Sequence, residues 1–253
     1  MDNNVGTNIN THAQSGLYPL GPQTSSSRAN EDVNYWATFQ FDYSNTGYTG
    51  VDAPETNNTL WKFKAKGQIF SSPVVVNDKV YFTTDQGLLY AVNRKNGEQA
   101  WSFDLKQNSY ATATFSRGYI YVGTGTEGQN AENYLYRINA NTGIEDTNSR
   151  ITIFEGSIAG APLVFDLPGE AEDRIYFGTL KDNKIYSYNF GSSGSIPIWE
   201  YGIPNGGMGG SDGIWSSPIY YASDPAKLLF TVNSESISPS ISRGLFCMKP
   251  NDG

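Results

Sequence analysis

The chain has 253 residues, 27 of them Gly and 17 Tyr, and its 38% hydrophobic content is enough to bury a sizeable core. Twenty-five acidic residues against 17 Lys and Arg leave a formal charge of −8, which argues against nucleic acid as a partner, since binding it needs phosphate-neutralising cations. No stretch approaches the ~18 consecutive apolar residues of a spanning helix, so no membrane span is expected.

Residues 1–34 are rich in Asn, Thr, Ser and Gly, carry no apolar run or periodicity, and read as a flexible polar leader without a signal sequence. From residue 35 to 253 the chain repeats, with units at about 58–97, 98–143, 150–191 and 197–253. The units open on Leu60-Trp61-Lys62-Phe63, Trp101-Ser102-Phe103, Ile151-Thr152-Ile153-Phe154 and Ile198-Trp199-Glu200-Tyr201. A second apolar run follows each opening. The third run is centred on Tyr81, Tyr121, Tyr176 and Phe230, spaced 40, 55 and 54 residues apart, and the fourth on Tyr90, Tyr136, Tyr186 and Phe246. The runs are short, rich in Val, Ile, Tyr, Phe and Thr, and bounded by Asn, Asp and Gly, which is the chemistry of strands and tight hairpins. No segment longer than ten residues shows a helical apolar period. Four antiparallel strands per unit, recurring in one order, predict an all-β β-propeller with about four blades present; a two-layer sandwich would not repeat that order four times.

The stretch Ala91-Val92-Asn93-Arg94-Lys95-Asn96-Gly97-Glu98-Gln99-Ala100-Trp101 resembles the tryptophan-docking motif of the PQQ-like propellers, the quinoprotein dehydrogenase and BamB-type family. Arg137-Ile138-Asn139-Ala140-Asn141-Thr142-Gly143 is a decayed copy that lacks the Trp. Trp36-Ala37-Thr38-Phe39-Gln40 with Asn45-Thr46-Gly47-Tyr48 is similar to the lead-in before the first blade of that family. The resemblance covers residues 35–253 and implies that Trp61, Trp101 and Trp199, with Gly97 in the turn, are blade-docking residues, each Trp beginning one blade and clasping the previous one. Because the family generally has seven or eight blades, it also implies a partial propeller: a fragment, half of a two-chain ring, or a closed four-blade ring. A protein partner, the missing half or a second copy is the expected company.

In the enzymatic branch of that family a quinone sits with calcium and a catalytic Asp, often beside two adjacent Cys. Cys247 is the only cysteine, so neither a vicinal pair nor an internal disulfide can form; its place in a strand reads as a small buried hydrophobe. Asp173, Asp182 and Asp212 are scattered and read as turn or solvent-facing carboxylates, and His12, the only histidine, lies in the leader. No catalytic residue, metal or cofactor is therefore expected; PQQ and calcium belong to an alternative reading as a dehydrogenase fragment. The long connectors 125–132, 202–213 and 234–243 fall on one face of a four-stranded meander, which makes Met208, Asp212 and Trp215 candidates for an interaction surface. The resulting expectation is a non-catalytic extracytoplasmic binding or assembly scaffold, with a repeat module of a larger surface protein or filament as a further alternative.

Overall fold

The structure is a computed structural model that describes residues 36–41, 44–45, 47, 55–125, 132–154, 156–166, 173–191, 194–202, 213–221, 225–233 and 244–250. Fifteen named strands build four antiparallel meanders. Blade 1 is β1 (Val74–Val76), β2 (Lys79–Thr83), β3 (Leu88–Asn93) and β4 (Gln99–Asp104). Blade 2 is β5 (Thr114–Ser116), β6 (Tyr119–Gly123), β7 (Glu132–Asn139) and β8 (Ile151–Phe154). Blade 3 is β9 (Leu163–Asp166), β10 (Asp173–Gly178), β11 (Lys184–Gly191) and β12 (Gly194–Gly202). Blade 4 has three strands among the described residues, β13 (Ile219–Tyr221), β14 (Lys227–Val232) and β15 (Gly244–Met248). The fold is thus an all-β partial propeller, and among the described residues no sheet closes on itself.

The sequence repeat and the hydrogen-bonded sheet are out of phase by one strand. Trp101 opens a unit in the sequence, yet β4, which carries it, closes the sheet of blade 1, with Trp101 opposite Ala91 and Phe103 opposite Leu89. Composition marks where a motif recurs; only the ladder shows which neighbour a strand pairs with. The run from Leu60 to Phe63 belongs to no ladder among the described residues, although its exposure alternates along Trp61, Lys62, Phe63, Lys64 and Ala65 as it does along β4.

The core lies between blades. One layer joins Val74, Tyr81 and Leu89 of blade 1 to Phe115, Ile120 and Tyr136 of blade 2. A second joins Tyr121 and Leu135 to Val164 and Phe177, and a third joins Tyr176 and Ile185 to Leu228 and Phe230. The opposite face of blade 1, built on Phe82, Tyr90 and Val92, is covered by Trp61, Phe63 and Ala65. Each sheet is thin, so burial comes from stacking neighbours, the logic of a repeat protein. The lead-in runs along the inner strands: Trp36 exchanges two backbone hydrogen bonds with Val75, Phe115 N–H donates to Ala37 O at 2.7 Å, and Ser44 Oγ donates to Tyr220 O at 3.1 Å.

Two sequence expectations are corrected here. Cys247 does lie in a strand but is exposed, because its side chain points away from the face of blade 4 that packs on blade 3. Asp173 is not solvent-facing: it is 1% exposed at the junction of blades 2 and 3, accepting hydrogen bonds from Tyr121 Oη at 2.5 Å and Ser116 Oγ at 3.2 Å and pairing with Arg117 Nε at 3.2 Å. Three donors are what make a buried carboxylate tolerable.

Candidate functional site

The clasps between blades are visible atom by atom. Trp101 lies flat on the turn before β8, so close that a Cβ on Gly143 would sit 2.7 Å from its ring, and its Nε1–H donates to Ala140 O at 3.0 Å. Tyr81 Oη donates to the same carbonyl at 3.1 Å. The pair recurs one junction later, where Trp199 Nε1 and Tyr176 Oη both donate to Pro250 O, at 3.2 and 3.1 Å. Trp61 meets Gly97 likewise, at 2.6 Å from a hypothetical Cβ, and donates to Arg94 O at 2.8 Å. Gly97 and Gly143 hold φ of +72° and +70°, a conformation that L side chains resist, so glycine serves both turn and ring here. Trp101 and Trp199 each close one sheet and dock on the following blade, the reverse of the direction expected above.

The junction of blades 2 and 3 has no Trp. Spacing from the turn Gly puts Thr147 at the lost Trp position, whereas ladder register puts Ser149 there, two residues before Ile151 as Trp101 is before Phe103, and Arg137 from β7 fills the gap. Its guanidinium lies 3.8 Å from the Tyr119 ring centroid and donates from Nη1 to Gly191 O of blade 3 at 3.3 Å and to Asp146 Oδ2 at 3.2 Å. A planar cation substitutes for a planar indole. Sequence reading registered the missing Trp and missed its replacement, because Arg137 stands twelve residues from Ser149 in the chain.

A cavity of about 430 Å³ opens on the face where β6, β12 and β14 end; most of the long connectors expected there, 126–131, 203–212 and 234–243, lies outside the described residues. Its walls are segments that lead into the inner strands, with Asn108 and Tyr110 from blade 2, Ser157, Ile158 and Ala159 from blade 3, Trp215 from blade 4, and the strand-end residues Gly125 and Leu180. Bonds between neighbours fix these segments: Gly125 N–H donates to Asn108 O, Leu180 N–H to Ser157 O and Ile214 N–H to Thr179 O. Phe70, Tyr110, Ala159 and Trp215 occupy one repeat position, each three residues before the Pro or Ala that immediately precedes the inner strand. The three aromatics are 59%, 42% and 45% exposed. Ala159 leaves a gap in this arc, and the cavity is that gap. Of the three interaction-face candidates, Trp215 lines the cavity, whereas Met208 and Asp212 lie outside the described residues.

Asp182 is a partly buried carboxylate near this face. It accepts hydrogen bonds from the Thr179 hydroxyl and from Tyr186 Oη at 2.8 Å, and burial raises its pKa above 3.8 despite both donors. Among the described residues no three of His, Cys, Asp and Glu converge on a point that would hold a metal. The described cavity lining contains no Lys or Arg to meet an anionic quinone and no free carboxylate to share a calcium, so these residues do not fit that pair.

The family model described as outer membrane protein assembly factor BamB matches residues 47–196, more than half of the chain. The chain belongs to the PQQ-like, BamB-type propeller family. A 52-residue stretch is 42% identical to outer membrane protein assembly factor BamB of Legionella pneumophila (strain Paris), covering 21% of this chain and 14% of that protein. Among solved structures, quinohemoprotein alcohol dehydrogenase from Comamonas testosteroni aligns over 87% of this chain and 40% of its own, with TM-score 0.63 and 17% identity. BamB from Moraxella catarrhalis aligns over 77% and 50%, with TM-score 0.53 and 18% identity. At those identities the structures show the shared propeller alone. The chain spans half or less of each of these relatives.

Proposed function

We propose that this BamB-type propeller is a non-catalytic extracytoplasmic scaffold that holds a protein partner on its connector-bearing face. The observation that carries this reading is the pair of half-exposed rings Tyr110 and Trp215 on a cavity whose described walls offer no acid–base pair, metal cluster or anion clamp, with exposed Phe70 packed edge-on against Tyr110. Exposed aromatic rings around a pocket are the usual anchors of protein recognition. The family description as an outer membrane protein assembly factor supports a partner within outer-membrane assembly, and so a location outside the cytoplasm.

The fold likeness to quinohemoprotein dehydrogenases defines the competing reading. Titration with PQQ and calcium, followed by melting temperature and quinone absorbance, separates the two. The scaffold reading expects neither to change, and saturable binding would sink it. In the converse experiment, Trp215→Ala is expected to weaken capture of a purified outer-membrane assembly partner at least tenfold while the melting temperature stays put.

A further inference from the structure

One position on the cavity face recurs in all four blades, as Phe70, Tyr110, Ala159 and Trp215, and three of the four carry a ring. Where two rings are consecutive in this series they touch. Phe70 and Tyr110 meet edge to face with centroids 5.4 Å apart, the geometry that aromatic quadrupoles favour. Ala159 is the member between Tyr110 and Trp215, and its methyl group fills far less of the intervening space than a ring would. The space left over is the cavity of about 430 Å³, with Tyr110, Ala159 and Trp215 all on its wall.

The walls cannot draw together to close that space. Ser109 Oγ donates to Gly123 O at 2.8 Å, Ile158 N–H to Thr124 O at 2.9 Å and Ile214 N–H to Thr179 O at 3.0 Å, so each wall segment is bonded in place. Neighbouring segments also stand shoulder to shoulder: a Cβ on Gly160 would sit 2.6 Å from Ser216 O, and one on Gly125 would sit 2.3 Å from Ser157 Cβ. These contacts belong to the seams of blades 2 and 3 and of blades 3 and 4, both interior to the chain. The cavity is therefore preformed, and a group entering it orders little of the protein. Its described lining has no charged side chain; Asn108 and Ser157 are the polar ones, beside Ile158, Leu180 and the two rings. An ion would find no counter-charge there, whereas a ring gains both apolar burial and edge-to-face contact.

We propose that the gap at Ala159 seats an aromatic side chain of the protein partner, which completes the series of rings from Phe70 to Trp215. The inference rests on the reading of this face as a protein-binding one and names the group that the partner inserts. The incoming ring stands between Tyr110 and Trp215 as Tyr110 stands beside Phe70, and the Asn108 amide gives a Trp N–H or Tyr O–H an acceptor. A large aromatic anchor in a preformed pocket is the kind of contact that carries most of the energy of a protein interface.

The probe is an acetylated and amidated Gly-Gly-Trp-Gly-Gly peptide, titrated into the 253-residue chain while NMR follows the Ala159 methyl group. A saturable shift is expected, with the same peptide carrying Leu or Lys at its centre binding at least tenfold more weakly. Ala159→Phe places a ring of the chain's own in the gap. It is expected to keep or raise the melting temperature and to weaken both the Trp peptide and the purified outer-membrane assembly partner at least tenfold. Should that variant fail to fold, the titration of the unaltered chain decides alone. No saturable shift, or a Leu or Lys peptide that binds as tightly as the Trp peptide, overturns the inference. So does partner capture that survives Ala159→Phe at full strength. Trp215→Ala separates the two levels: capture lost there but kept in Ala159→Phe removes only the inserted ring, whereas capture kept in Trp215→Ala removes the partner from this face altogether.

Discussion

A methyl group at Gly97 or Gly143 would meet an indole at 2.6 or 2.7 Å, on backbone held at φ +72° or +70°. Either Gly→Ala change must push the ring off its seat and strain the turn, and a loss of about 1–3 kcal/mol is expected from urea midpoints. Gly118→Ala is the comparison, since its φ is +85° but nothing lies within 4 Å; it should lose only the backbone part, about 1 kcal/mol. Asp182 gives a prediction of opposite sign. Burial raises its folded pKa above 3.8, so the fold disfavours the carboxylate, and its stabilising contribution is whole below that pH and lost as pH rises through the raised value. Asp182→Asn removes the charge and keeps one acceptor for Tyr186, whose hydroxyl donates at 2.8 Å. The variant is expected to have the higher urea midpoint near pH 7 and to lose that advantage below pH 3.8.

Between elements, two kinds of clasp make two kinds of seam. Trp101→Ala leaves a hole against Gly143 and unpairs part of Ala140 O, and a loss of about 3 kcal/mol is expected that barely depends on salt. Arg137→Met at the next seam breaks bonds to Gly191 O and Asp146 and the contact with Tyr119, and roughly 2 kcal/mol should go, less at high salt because the Asp146 pair is partly exposed. Measuring both midpoints in low and high salt checks the contrast; equal salt dependence would refute the ionic account of the second seam. The strands themselves were legible because Val, Tyr, Phe and Thr runs between Asn, Asp and Gly have few other uses. Sheet phase was not, since the assignment of Trp101 to blade 1 rests on hydrogen bonds from β3 that no local pattern encodes. The burial of Asp173 was hidden for the same reason: its donors Ser116, Arg117 and Tyr121 lie in blade 2, more than fifty residues away.

For the whole molecule, the aromatic positions that identified the repeat also hold neighbouring blades together through their hydroxyls. Tyr136 Oη donates to Leu105 O at 2.8 Å, Tyr121 Oη to Asp173 at 2.5 Å and Tyr176 Oη to Pro250 O at 3.1 Å, so successive blades are stitched by phenol protons. The sequence made the rings visible as a period, whereas the connector face was readable only through Trp215, because the cavity arises from what Ala159 lacks. Burial is the largest cause raising the pKa of each of these tyrosines, with Tyr136 pushed up to about 12. For Tyr136, a folded pKa above the ordinary 10.0 means the stabilisation is complete below pH 10 and drains away as pH rises toward 12; Tyr121 and Tyr176 are shifted in the same direction. Ionising any one phenol removes a donor from a seam, and because each blade is buried by its neighbours, loss of one seam exposes the next. An alkaline titration should therefore show phenolate absorbance from Tyr136 and loss of β-sheet circular dichroism in one joint transition as pH rises from 10 toward 12. If the buried phenols ionised while the sheet signal stayed intact, the seams would not depend on their protons.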